Sequence, residues 1–343
     1  PAQRKQRRLR KTLLRNVIAR PRMLAMAMLP ARRLADSPIR RLAVRSRLIR
    51  LLGPLANAER QLPREIGAPF RPGDELAQPS AAQGEAIVFT GCVMGELFGN
   101  VHRATGRVLA RNGIAATATM GQVCCGALSA HDGDIDFARR QARRNIDALQ
   151  PAGADGRGAP IIVNSAGCGA AMKEYGDLLA GDATYAARAR AFSARVKDLT
   201  EYLAALPNRP AGAFEGRVTY QDPCHLAHAQ RITEQPRALL RDAGCSLVET
   251  QGADLCCGAA GIYSLVEPEM SAQLRARKAV QFKEHQPDVI VTANPGCQMQ
   301  YESAVRDAGV DSRVMHIAEL LDEAYERAEA AGESACGPRI DHI

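Results

Sequence analysis

Cys92, Cys124 and Cys125 return 132 positions later as Cys224, Cys256 and Cys257, and Cys168 returns 129 positions later as Cys297. A register this tight marks a duplicated unit, so any fold open to this chain must present two equivalent cysteine sets. Short β-like runs at 86–90, 114–120 and 161–164 alternate with helical stretches at 97–112 and 134–149. The second copy repeats the order, with runs at 218–221, 245–249 and 289–292 and helices at 234–243 and 268–285. Strand alternating with helix predicts an α/β fold: two duplicated units, each a parallel sheet flanked by helices and joined by right-handed crossovers.

Each cysteine falls just past a predicted strand end and at or just before a helix start. The carboxyl edge of a parallel sheet is where such folds hold ligands. Three loops per unit therefore bring four thiols to one rim: Cys92, Cys124, Cys125 and Cys168, then Cys224, Cys256, Cys257 and Cys297. Helix N-termini at that rim lower thiol pKa and offer N–H groups to sulfur. Gly126, Gly258, Gly167 and Gly296 relieve crowding where backbone approaches a bulky inorganic core. Soft thiolates without a nearby histidine pattern suit iron–sulfur ligation. Zinc is the competing metal, but structural zinc sites are usually built from close C-x-x-C knuckles, which this chain lacks. Of the ten cysteines, Cys245 lies in an apolar strand and reads as structural, and Cys336 in a Gly-rich tail reads as incidental.

Charge is unevenly placed. Residues 1–75 hold 19 Lys/Arg against 5 Asp/Glu, an excess of 14 in a chain of net +8, which leaves the remainder at −6. That segment reads as a basic arm of proline-punctuated helices at 6–20, 21–35 and 38–52, followed by a Pro/Gly-rich linker at 67–84. The arm is either a solvated spacer or a basic surface for an acidic partner or anionic headgroups. Without interleaved aromatics it does not read as a nucleic-acid surface. The longest apolar run, at 23–29, is closed by Pro30, so no transmembrane helix is expected. The Arg-rich start does not read as a secretory signal. The expected place is the cytoplasm, with peripheral contact to the inner face of the plasma membrane. The expected division is 1–84 basic arm and linker, 85–210 first unit, 211–328 second unit and 329–343 tail.

At these residues the chain resembles the cysteine-rich CCG-domain family, whose archetype is the cysteine-rich subunit of heterodisulfide reductase. The phrases CCGALSAHDGD, NSAGCGAAMKEYGDLL, DPCHLAHAQRI, CCGAAGIYSL and VTANPGCQMQ are more similar to the glycolate oxidase iron–sulfur subunits. The resemblance covers about residues 80–325. It implies an electron-transfer subunit that carries iron–sulfur clusters, expected to be [4Fe–4S]. FAD would reside on a partner flavin subunit that oxidises glycolate, and electrons would pass to a quinone or another acceptor. No G-x-G-x-x-G follows a strand here, so this chain is not expected to oxidise substrate alone. Relatives of that kind carry an N-terminal ferredoxin-type domain whose motif is absent from this sequence, so the chain is expected to represent the family protein without that domain. Lactate-utilisation and glycerol-3-phosphate dehydrogenase subunits share the repeat. A thiol–disulfide reductase of the heterodisulfide type and a zinc-stabilised binding protein are the readings of other kinds.

The archetype ends each repeat in C-x-x-C, whereas Ser165 and Asn294 stand where the first cysteine of that pair would be. With four thiols per unit, cubane and noncubane cores both stay open. Ser165 and Asn294 are expected to cap the following helices, or to assist a cluster as weak ligands or hydrogen-bond donors. His225 and His228 occur only in the second unit and are candidates for flanking its cluster.

Overall fold

The computed structural model describes residues 2–34, 62–63, 66–149 and 158–332. The third arm segment (38–52), Cys336 and most of the 329–343 tail lie outside the described residues.

The arm forms α1 (Ala2–Leu13), a π-helical turn (Leu14–Ile18) and α2 (Pro21–Leu34). The first unit then runs β1 (Gly84–Val88), α3 (Val93–Leu97), α4 (Gly99–Arg111), β2 (Ile114–Thr117), α5 (Ala127–His131), α6 (Ile135–Ala148), β3 (Ile161–Val163), α7 (Ala166–Lys173), α8 (Tyr175–Leu178), α9 (Ala186–Arg195), β4 (Val196–Asp198) and α10 (Leu199–Ala204). The second runs β5 (Arg217–Tyr220), a π-helical turn (His225–Ala229), α11 (Glu234–Asp242), β6 (Ser246–Leu247), α12 (Tyr263–Val266), α13 (Pro268–His285), β7 (Val289–Thr292), α14 (Pro295–Ala308), β8 (Arg313–His316) and α15 (Ile317–Ala330).

Both sheets are wholly parallel, in the orders β2-β1-β3-β4 and β6-β5-β7-β8. The α/β expectation holds, with a fourth strand added to each sheet. Winding reverses between β1 and β3 and between β5 and β7, so each unit has a ligand-type crevice at the carboxyl ends of those strands. Side-chain alternation divides the core. Val88 and Ile162 face inward and join Val218, Tyr220 and Val291 in one hydrophobic core shared by both units. Ile87, Phe89, Ile161 and Val163 face outward into a separate cluster under α6, α7 and α9. The smaller outer core of the second unit gathers Ile290, Phe282, Tyr301 and Val305.

The two units clasp reciprocally. Helix α4, after the first strand of one, packs on α15, after the fourth strand of the other, and α10 packs on α11 in the same way. Asp322 of α15 is buried and accepts from Arg107 (2.5 Å) and Arg111 (2.7 Å) of α4. The 67–84 segment is packed chain rather than a loose tether: Phe70 and Leu76 enter the shared core, and the Phe70 N–H donates to Gly95 O at 2.8 Å.

The arm likewise departs from a solvated spacer. Leu14, Ala19 and Leu24 are buried. Arg10 pairs with Asp132 at 2.5 Å, Lys11 donates to Gly133 O at 3.0 Å, Arg15 grips Asp134 through two of its nitrogens, and Arg32 pairs with Glu96 at 2.9 Å. These arginines neutralise the chain's own carboxylates. Leu9, Met23, Met26 and Leu29 stay exposed on the outer side.

Candidate metal centre

In each unit the four predicted thiols arrive by the same three routes. Cys92 follows β1 and stands at the N-cap of α3, and Cys224 follows β5 at the start of its π-helical turn. The vicinal pairs Cys124-Cys125 and Cys256-Cys257 follow β2 and β6. Each pair ends in a glycine at φ +86°, Gly126 or Gly258. Cys168 and Cys297 lie in the first turns of α7 and α14.

The sulfurs meet in pairs: Cys92–Cys124 at 3.5 Å, Cys125–Cys168 at 3.3 Å and Cys257–Cys297 at 3.2 Å. Among the described residues, no three His, Cys, Asp or Glu side chains gather closely enough to hold a single metal ion. The Gly126 N–H donates to Cys124 Sγ at 3.5 Å, and the Gly258 N–H to Cys256 Sγ at 3.4 Å. The neighbouring thiols Cys125 and Cys92, together with that N–H, pull Cys124 well below the usual thiol range. Cys224, Cys257 and the Gly258 N–H do the same to Cys256. Their partners move the opposite way: sharing with Cys124 and burial raise Cys92, and sharing with Cys256 and burial raise Cys224. Each unit thus favours the thiolate form at the equivalent place, beside an amide aimed by a left-handed glycine.

That left-handed turn gives a direct prediction. A Cβ on Gly258 would stand 2.8 Å from Ser271 O, and one on Gly126 would stand 3.1 Å from Ala138 Cα. Gly258→Ala therefore combines backbone strain of about 1–3 kcal/mol with a clash. Thermal melting should show Gly258→Ala more damaging than Gly126→Ala; equal, negligible effects would mean the turn is not required.

The surroundings differ between the units. Cys92, Cys124 and Cys125 are buried, with Ile18 and Ala19 of the arm packed over Cys92 and Cys124, and Cys168 is partly exposed. In the second set Cys257 and Cys297 are buried and Cys224 and Cys256 are partly exposed. Tyr175 donates to Cys125 O at 2.7 Å and accepts from Asn145, which also donates to Cys124 O at 3.3 Å. Beside the second set, the hydroxyl of Tyr301 is buried without a hydrogen-bond partner and lies in the field of all four thiols. A buried hydroxyl without an acceptor costs about 1–3 kcal/mol. Four thiol donors, amides aimed at sulfur and a hydroxyl in want of an acceptor fit a sulfide-bearing cluster.

Ser165 and Asn294 occupy N-cap positions as expected, yet neither side chain caps its own helix. Asn294 instead reaches across the units: its Oδ1 accepts from the Gly167 N–H of α7 at 3.3 Å, and its Nδ2 lies 3.6 Å from Cys297 Sγ. The Ala166 N–H donates to Ala293 O at 3.1 Å, so the sheet edges carrying Cys168 and Cys297 abut. His225 lies against its cysteine, Nδ1 to Cys224 Sγ 3.6 Å. His228 points to solvent, 4.0 Å from Asp254, and joins no thiol. Burial raises Cys245 to about 12, in keeping with a structural thiol. Sequence reasoning missed His131 of α5, which stacks on His225 across the units at 5.6 Å. It also missed Lys278, although its spacing from Ser271 and Phe282 places it on the buried stripe of α13.

Two parallel sheets whose carboxyl edges each gather four thiols define a duplicated α/β protein built around paired cysteine centres. A cysteine-rich domain model matches residues 86–173 and again 218–302, and the chain belongs to this CCG family. It is 37% identical over 242 residues to a probable glycolate oxidase iron-sulfur subunit of Bacillus subtilis (strain 168), covering 69% of this chain and 54% of the relative. Identity is also 37% to the glycolate oxidase iron-sulfur subunit of Escherichia coli (strain K12), covering 70% of this chain and 58% of the relative. A fumarate reductase (CoM/CoB) subunit of Methanothermobacter marburgensis is 33% identical, with 69% of this chain and 46% of that one covered. The chain thus spans about half the length of these relatives. A crystal structure of a hypothetical protein from Helicobacter pylori shares the fold, with TM-score 0.53 and 10% identity over 86% of this chain and 56% of that one.

Proposed function

We propose that this chain is the electron-transfer part of a glycolate or other 2-hydroxy-acid oxidoreductase complex, with one iron–sulfur cluster in each unit. Cys92, Cys124, Cys125 and Cys168 would hold the first, and Cys224, Cys256, Cys257 and Cys297 the second. The observation that carries this reading is the matched pair of thiol quartets on sheet edges that abut. A bound cluster of the [4Fe–4S] type supplies a one-electron carrier. Sulfurs gathered in pairs suit a polynuclear core, in which each metal takes its own thiolate, better than a single zinc ion. Cys124 and Cys256 carry the lowered pKa, Gly126 and Gly258 donate to them, and the arm covers Cys92 and Cys124 of the first quartet. FAD belongs on a partner subunit, with a quinone or another acceptor downstream. A disulfide-reducing role would ask for a fifth cysteine where Ser165 and Asn294 stand. No described helix is long and apolar enough to cross a membrane; the basic arm is the surface we assign to any peripheral membrane contact. We take 85–210 and 211–328 as the two cluster-bearing units, with 1–84 as arm and linker and 329–343 as tail.

The test is anaerobic absorption spectroscopy. Dithionite should bleach the chain whether alone or with flavin-containing partner subunits, and glycolate should bleach it only with them. No bleaching by dithionite would overturn the reading; bleaching by lactate but not glycolate would reassign the substrate.

A further inference from the structure

The two cysteine centres match in ligands but not in the charge beneath them. Lys278 of α13 is 1% exposed, and its Nζ donates to Gln221 Oε1 at 2.9 Å, Gly252 O at 2.8 Å and Ala253 O at 3.1 Å. Three acceptors require three N–H bonds, which an ammonium has and a neutral amine lacks. All three acceptors are neutral, and among the described residues no carboxylate pairs with Nζ; the nearby Asp222 is held by Arg237 at 2.8 Å. A buried cation without a counter-ion is expensive. Gln221 lies three residues before Cys224 and Ala253 three before Cys256, so this cation ties together the two loops that present those thiols. Burial lowers the Lys278 pKa, and Cys257 and Cys297 are the groups that oppose that lowering most strongly.

In the first unit neutral amides make the corresponding ties. Gln122 accepts from the Thr90 N–H at 3.0 Å and donates to Val88 O at 3.0 Å, joining the loops of Cys92 and Cys124. Asn145 accepts from the Val123 N–H at 2.9 Å. The second centre also has the unpartnered hydroxyl of Tyr301 and two partly exposed ligands, Cys224 and Cys256, where the first has one, Cys168, and has the arm packed over Cys92 and Cys124.

Resting on the iron–sulfur reading above, we infer that Lys278, assisted by the Tyr301 hydroxyl, counter-charges the second centre and makes it the one of higher reduction potential. An added electron raises the negative charge on a cluster. A buried cation, a hydroxyl donor and solvent access each favour the reduced form, and burial among neutral groups disfavours it. Lys278 and Tyr301 are thus tuning residues, and an electron supplied to the chain settles in the second unit.

The test is an EPR-monitored titration of the anaerobic full chain with dithionite as electron donor, the signals being assigned with Cys124→Ser and Cys256→Ser. The second unit's signal should appear first in the wild type. Lys278→Gln should shift that midpoint to lower potential and leave the first unit's in place. Tyr301→Phe, which removes only the unpartnered hydroxyl, should shift it the same way by less, and it decides the matter if Lys278→Gln does not fold. Reduction of the first unit first, or a second-unit midpoint unmoved by the variants that fold, would overturn the inference. Absence of iron from both units would instead overturn the proposed function.

Discussion

Cys124→Ser is expected to strip the first unit of its iron, about four atoms for a [4Fe–4S] core, and to leave the second unit loaded; Cys256→Ser should do the reverse. These two thiols carry the depressed pKa in their sets and accept the N–H of a left-handed glycine, so each is expected to anchor its quartet. A hydroxyl is a far poorer ligand for a soft metal than a thiolate. The outer faces of the two sheets pack into separate cores. Loss at one rim therefore need not spread to the other, although the edges touch through Asn294 and Gly167. Iron counted per chain in the two variants reads this directly. Loss of all iron from either variant would show one shared centre in place of two.

The second large effect is acid unfolding through two buried histidines. His102 Nε2 donates to Thr90 O at 2.9 Å, and its Nδ1 accepts from Asn164 Nδ2 at 3.2 Å. His316 Nε2 donates to Asn164 O at 2.8 Å, and its Nδ1 accepts from the Ala318 N–H at 3.1 Å, capping α15. Protonation would set an Nδ1–H against another donor in each case. Burial lowers His102 to about 4 and His316 to about 3.

Both folded-state values lie below the unfolded value near 6.5. The stability the neutral rings confer is thus complete above pH 6.5 and is lost as pH falls toward 4 and 3. The loss is on the order of 3 kcal/mol for His102 and 5 kcal/mol for His316. Asp198 runs the other way: burial raises it to about 6, so protonation between pH 6 and 4 restores on the order of 3 kcal/mol. The histidines outweigh it. Urea midpoints should fall steadily from pH 6.5 to 4, and His316→Asn should flatten that slope, since it keeps a cap acceptor but cannot be protonated there. A slope unchanged in His316→Asn would contradict this account.

Much of the fold was legible because cysteine register and strand–helix alternation both report topology. The strands 289–292 and helix 268–285 match their predicted spans. The fourth strands, Val196–Asp198 and Arg313–His316, were missed because they are short edge strands bearing Lys197 and Arg313, with no apolar run to announce them. The strand expected at 245–249 pairs only over Ser246–Leu247.

The arm reads equally as a solvated spacer or a basic surface for an outside partner, because its partners, Asp132, Asp134 and Glu96, are far away in sequence and acidic residues carry no mark of their destination. Ser165 and Asn294 looked like ordinary caps by position. Only three-dimensional placement shows Asn294 lending its cap to the neighbouring unit. Lys278 had a legible signal, a lone lysine on the buried face of α13, but its partners are two loops that no local pattern connects.

The most direct test is the metal and sulfide content of the anaerobically purified wild-type chain. Iron and acid-labile sulfide are expected in equal amounts, about eight of each per chain for two [4Fe–4S] cores, in a brown protein without zinc. Zinc without sulfide in a colourless protein would contradict the iron–sulfur reading.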